Sequence, residues 1–392
     1  MANRVYLVSA VRTPIGDFGG ALRDLKPLDL VQPVLRDALG RAGVEPAQVS
    51  QVVLGSCLSP LDQNIARIAS LLLGLPYEVP GYTVNCACSS GMQAVILGVS
   101  AIRQRTADVV VAGGVESMSN APYILESARW GQRLRHLEGI DLLWRGMQEY
   151  PVGGGMGLAA ERLAERYGLG REELDELSAY SHARALRATR EGRFGRELLP
   201  LEVPEGRRTR RVEVDEHPRE DATAEALARL KPAFRPDGVV TAGNASGMND
   251  GAAAVVLASE ERVRELGLRV LAEVKAHALT AVDPHLVGIA AVPAVRSVLA
   301  QAGLTLRDID LLEINEAFAS FYLACEKELG LDRERTNVNG SGISLGHPVG
   351  ATGCRLIGPL DHELDRQGAR RGVAALCAGG GVGTAVLLER ES

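Results

Sequence analysis

Residues 33–58, PVLRDALGRAGVEPAQVSQVVLGSCL, can be laid over residues 293–318, PAVRSVLAQAGLTLRDIDLLEINEAF, at a constant offset of 260 positions. Pro, Arg, Leu and the Ala-Gly pair coincide, and so does the apolar pattern. Each copy reads as an amphipathic helix stopped by Gly43 or Gly303, then a turn, then a strand. A chain that repeats such a unit is built from two related halves.

Beyond that unit the halves continue alike. In the first, residues 82–85 lead into a helix with Met92, Val95, Ile96, Val99 and Ile102 on one face, followed by the strand at 109–111. In the second, residues 336–339 pass through a glycine-rich loop to a helix carrying Leu356, Ile357, Leu360 and Leu364, then a strand at 373–376. Strands alternating with helices at this spacing predict an α/β protein with a mostly parallel sheet in each half. The two sheets are expected to stack pseudo-symmetrically, so that loops at equivalent strand ends meet in one cleft. Between Asn120 and Ala245 the pattern changes to charged helical segments, Trp130, Trp144, a Gly153-Gly154-Gly155 run and an arginine cluster. The expected organisation is therefore a first half at 1–119 plus 246–270, an inserted lid at 120–245 and a second half at 271–392.

The formal charge of −6 gives no basis for a nucleic-acid partner. The cluster Arg207, Arg208, Arg210 and Arg211 either forms a solvated loop or meets an anionic group such as a nucleotide phosphate. The longest apolar runs are of strand length, so no membrane association is expected. No signal segment is evident at the N-terminus, and a cytoplasmic location is the expectation. Six cysteines in 392 residues do not suggest a disulfide framework, and Cys86 and Cys88 have no companion pair, so no metal site is expected. Cys57, Cys325 and Cys354 read as small buried apolar side chains.

Three separated stretches each place a reactive side chain beside glycines. In NCACSSG, Cys88 falls at a strand-to-helix junction, where the helix dipole and free amides favour a thiolate. Cys86, two residues earlier on the predicted strand, reads as structural. His347, in GHP between glycines, is an imidazole matched to activating a thiol whose unperturbed pKa is about 8.5. Cys377 opens CAGGGVG, whose glycines allow close backbone approach and whose amides can face a developing oxyanion. Asn315 of NEAF stands where Gly55 stands in the other repeat, a polar side chain that the repeated fold does not demand.

Together these motifs, with the opening VSAVRTPIGDFGG and the segment TAGNASGMNDGAAA, resemble the thiolases over nearly the whole chain. The resemblance implies a five-layered α/β/α/β/α fold with an inserted loop domain and a homo-oligomer, dimer or tetramer. It further implies CoA and acyl-CoA as substrates, with no cofactor. It assigns Cys88 as acyl-accepting nucleophile, His347 as its base and Cys377 as the acid/base at the α-carbon. Asn315 would fix a water that stabilises an enolate, and Gly379 would share the oxyanion with the Cys88 amide. Glu316 would orient the loop. Arg219 and Ser246 would bind coenzyme A, with Met156, Phe318 and Val287 at the pantetheine and acyl pocket. The chain departs from the family's short-chain biosynthetic pattern at Gly155, Ala226 and Val287, which points to a wider acyl pocket. A decarboxylating or hydroxymethylglutaryl-type condensing enzyme, which generally lacks NEAF together with CxGGGxG, is the alternative on the same fold. A non-catalytic acyl-CoA carrier, which predicts a damaged constellation, is the alternative from another class.

Overall fold

The computed structural model describes residues 3–134 and 136–391. Both copies of the repeat form as the sequence dictates. The helices Pro27–Ala42 and Ala291–Ala302 end at Gly43 and Gly303, each in the left-handed conformation that glycine adopts freely. A single 3-10 turn, Pro46–Gln48 or Leu306–Asp308, then leads to the strand Gln51–Gly55 or Leu311–Ile314.

The strands hydrogen-bond in the order Gly81–Val84, Gln51–Gly55, Val109–Ser117, Asn249–Ser259, Val5–Arg12, Ala272–Ala281, Val382–Glu389, Arg371–Ala378, Leu311–Ile314. The two sheets join edge to edge between Val5–Arg12 and Ala272–Ala281, where Tyr6 lies opposite Glu273 and Leu7 opposite Ala272. The sheets are mixed rather than mostly parallel. Gln51–Gly55 is parallel to both neighbours and Leu311–Ile314 to Arg371–Ala378, while the pairs in between are antiparallel. One cause is the CAGGGVG segment itself. Gly379 to Gly381 turn a tight hairpin between Arg371–Ala378 and Val382–Glu389, with Gly380 and Gly381 at φ +83° and +81°, and a hairpin joins only antiparallel strands.

Strand alternation produces the five layers. Val109 and Val111 face an outer core with Leu30, Val34 and Leu35 of the helix Pro27–Ala42. Val110 and Ala112 face a central core. In the second half Ala374 and Leu376 also face the central core, while Val373 and Ala375 face the other outer core with Val292, Val295 and Val298. The central layer consists of the helices Ser90–Arg103 and Ile357–Gln367, whose Met92, Val95, Val99, Leu360 and Leu364 are buried between both sheets. Each fully buried aliphatic side chain contributes about 1.5–3 kcal/mol, so this double-sided layer holds the halves in register.

The stretch expected as a separate lid is partly core. Leu163 of the helix Met156–Tyr167 and Leu174 and Leu177 of the helix Arg171–Arg190 join the outer core of the second half. Residues 284–302 form a segment long and apolar enough to cross a membrane, beyond the strand length expected, and half of it is buried inside the protein.

Candidate active site

The nucleophile candidate is aimed by a strained residue. The strand Gly81–Val84 ends before Asn85, and Ala87 takes φ +49°, which costs a non-glycine residue about 1–2 kcal/mol. Its carbonyl accepts from the Ser90 hydroxyl at 2.6 Å and the Cys57 thiol at 2.9 Å, and its N–H donates to Asn85 Oδ1 at 3.0 Å. At about 1 kcal/mol per bond these three outweigh the strain. Cys86 lies in this loop, not on the strand, and its N–H donates to Ser90 Oγ at 2.9 Å. The turn delivers Cys88 just before the helix Ser90–Arg103, among Met118, Leu143 and Val349.

The backbone N–H groups of Gly379 and of Cys88 itself, the two expected to hold an oxyanion, act to lower the Cys88 thiol pKa. Burial nevertheless wins and pushes the thiol up to about 11. The helix tip therefore does not give the thiolate anticipated from the sequence, and a base is required.

His347 is buried, with its N–H on Asn249 Oδ1 at 2.8 Å. Its Nδ1 lies 2.7 Å from the Thr352 hydroxyl oxygen, and that hydroxyl donates to the Pro348 carbonyl at 2.9 Å. Thr352 has one proton and it is already engaged, so Nδ1–H is the donor in the His347 pair. Nε2 then carries the lone pair, and it has no protein partner. Burial, assisted by the Arg355 guanidinium, holds the imidazole down at about 3. The resting pair is thus a neutral thiol and a neutral imidazole with its basic nitrogen free.

Cys377 is the penultimate residue of the strand Arg371–Ala378, in the outer core that also contains Met156, Val287 and Phe318. Burial, then the nearby Cys88 and Cys325 sulfurs, raises its pKa well above the ordinary thiol value. Asn315 donates its backbone N–H to Ala375 at 3.0 Å. Its side-chain amide is buried with neither atom bonded to protein, leaving a donor and an acceptor for substrate or water. The neighbouring Glu316 accepts from Ser181 Oγ at 2.6 Å and Asn337 Nδ2 at 2.8 Å, fixing the NEAF loop as expected. Tyr150, which sequence reading missed, lies against the hairpin. A Cβ on Gly380 would come within 2.9 Å of its hydroxyl and one on Gly379 within 3.5 Å of its ring.

A cavity of about 260 Å³ is lined by Arg219, Ala226, His182, His217, Leu227 and Ile343 among others. Arg219 and Ala226 thus share one recess. Ser246 stands nearby, its N–H on the Ala317 carbonyl at 3.0 Å, and Ala245 bridges to Phe318. Arg210 and Arg211 instead lie on an exposed hairpin, Leu201–Glu205 with Arg208–Val212, paired with Glu205 and Glu213. The reading of Gly155 as freed space fails: a Cβ there would meet the Gln148 carbonyl oxygen at 2.7 Å and its Cα at 3.0 Å. Trp130 and Trp144 are exposed, and Leu143 of the insertion belongs to the apolar cluster against which Cys88, Ala121 and Met147 pack.

Family models for the thiolase N-terminal domain and the thiolase C-terminal domain match residues 5–261 and 268–390. An acetyl-CoA acetyltransferase of Pseudomonas aeruginosa is 47% identical, covering 99% of this chain and 99% of its own. The crystal structure of the Bacillus anthracis acetyl-CoA acetyltransferase superposes with a TM-score of 0.97 at 50% identity, covering 99% of both chains. That of human mitochondrial 3-ketoacyl-CoA thiolase in complex with CoA gives 0.95 at 41% identity, covering 100% of this chain and 99% of that one.

Proposed function

The chain belongs to the thiolase family, and we propose that it exchanges acyl groups between CoA thioesters through an acyl-Cys88 intermediate. The observation that carries this reading is the free Nε2 lone pair of the buried His347, two residues before Val349, whose cluster Cys88 packs against. His347 takes the Cys88 proton as sulfur attacks the thioester carbonyl. The amides of Cys88 and Gly379 stabilise the tetrahedral oxyanion, which collapses to acyl-Cys88 as the leaving group departs.

Cleavage of a 3-ketoacyl-CoA expels the enolate of acetyl-CoA, and Cys377 protonates its α-carbon. CoA thiol then takes the acyl group from Cys88, its proton passing to the Cys377 thiolate while His347 returns its proton to the departing Cys88 sulfur. Condensation runs the same steps backwards, with Cys377 removing the α-proton while His347 and an Asn315-bound water hold the enolate oxygen. The raised pKa of Cys377 keeps it protonated at rest, the form that cleavage requires. Arg219 and Ser246 bind the coenzyme, and Met156, Phe318 and Val287 border the acyl chain. A homo-oligomer is the expectation from membership of the family. The six free cysteines fit a reducing cytoplasm.

The test is a CoA-dependent cleavage assay with 3-ketoacyl-CoAs of several chain lengths, with mass spectrometry of the acyl adduct. Thiolysis with the acyl group on Cys88 is expected. An adduct on another residue, or none, overturns the mechanism.

A further inference from the structure

Glu116 is a buried carboxylate with no part in the chemistry above, yet it touches both loops that carry it. It is the penultimate residue of the strand Val109–Ser117 and 1% exposed. Its Oε1 accepts the Leu58 N–H at 3.0 Å, and its Oε2 accepts those of Cys57 at 3.0 Å and Gly350 at 3.1 Å. Two of these amides follow the strand Gln51–Gly55 of the first half, and the third opens the helix Val349–Arg355 of the second.

Each arm leads to a reacting group. Through Cys57, whose thiol donates to the Ala87 carbonyl, the carboxylate supports the left-handed turn that aims Cys88. Through Gly350 it anchors the helix that begins two residues after His347 and contains Thr352. The fit is close: a Cβ on Gly350 would stand 2.8 Å from Glu116 Oε2 and 2.5 Å from the Val115 carbonyl oxygen. We propose that Glu116 is a positioning residue, which sets the nucleophile turn of the first half against the base loop of the second.

A plain structural strut would predict the same contacts, but Glu116 also acts electrically. The titratable groups facing it are the thiols of Cys57 and Cys88, and its negative charge raises both. Burial pushes Glu116 itself up to about 7, against the three amides that favour its charged form. Removing the charge should therefore ease ionisation of Cys88 while loosening the geometry that uses it. A strut would not separate these effects.

The proposal rests on the assignment of Cys88 and His347, so acetylation of Cys88 in the unaltered protein is measured first, and its absence would refute that assignment instead. In Glu116→Gln, either orientation of the amide turns an NH2 against a backbone N–H donor. Acetylation of Cys88 by acetyl-CoA, followed by mass spectrometry, is expected to slow at least tenfold. The pH profile of Cys88 alkylation by iodoacetamide should move to lower pH. Glu116→Asp retains the charge but cannot reach all three amides. It should slow acetylation without moving the alkylation profile, and it serves as the test alone if Glu116→Gln does not fold. Unchanged acetylation in the variants that fold overturns the proposal. So does a parallel fall of acetylation, alkylation and thermal midpoint with no shift in the alkylation profile of Glu116→Gln.

Discussion

The Thr352 hydroxyl oxygen lies 2.7 Å from Nδ1 of His347, five residues back along the chain, with its proton directed to the Pro348 carbonyl. This pairing selects the tautomer that leaves Nε2 unprotonated. Thr352→Val removes the acceptor and keeps the shape. General-base assistance is worth roughly 10²–10⁴-fold, and a mixed tautomer population forfeits part of it. A drop in kcat/KM for thiolysis of about tenfold or more is expected, with Thr352→Ser close to the unaltered enzyme. If Thr352→Val matches it too, the tautomer is set elsewhere.

The depressed basicity of His347 fixes a sign for stability against pH. In the folded protein the imidazole stays neutral down to about 3, against 6.5 for the unperturbed group. Below 6.5 the unfolded chain therefore binds a proton that the folded chain refuses, so this residue makes stability fall as pH drops from 6.5 toward 3. Urea unfolding of the unaltered protein and of His347→Gln at pH 7, 6 and 5 isolates the contribution. The midpoint should fall more steeply with acid in the unaltered protein, and identical slopes would mean that His347 is not desolvated.

The repeat, its glycine caps and the reactive cysteines were legible because each is a local signal: apolar spacing, a left-handed stop, a thiol before a helix. Antiparallel pairing was not, because a strand buried on both faces reads the same in either direction. Asn249–Ser259 runs antiparallel to Val5–Arg12, from Val5 opposite Ser259 to Arg12 opposite Ala253. Glu116 did leave a trace, as a carboxylate closing the otherwise apolar run from Val109 to Val115. Thr352 and Tyr150 left none, since their roles depend on which distant loops they meet. The thiolate expectation for Cys88 failed because sequence shows the helix tip but not the apolar side chains that desolvate the sulfur.

Cys377→Ala should separate the two half-reactions. The Cys88 proton goes to His347, so acetylation of Cys88 by acetyl-CoA should persist within about tenfold. Carbon–carbon bond cleavage, which needs a proton delivered to the α-carbon, should fall by roughly 10²–10⁴-fold. Rapid-quench mass spectrometry set beside a steady-state thiolysis assay reads both. Equal loss in both would show that Cys377 also serves the first step.

Of the departures from the short-chain pattern, Val287 and Gly155 now make different predictions about acyl length. Val287 is buried in the core shared by Met156, Phe318 and Cys377, so methionine there adds volume where the chain would run. Val287→Met should lower kcat/KM for longer 3-ketoacyl-CoAs relative to acetoacetyl-CoA. The discrimination should be of the order of 10–200-fold, the range for one methylene in a hydrophobic pocket. Gly155 opens no such room, because the Gln148 backbone occupies the position of its missing Cβ. Gly155→His must displace that segment, so the expected result is a lower thermal midpoint and reduced activity at all chain lengths. A selective gain for acetoacetyl-CoA in Gly155→His, with no effect from Val287→Met, would reverse this assignment and place the end of the acyl pocket at the start of the helix Met156–Tyr167.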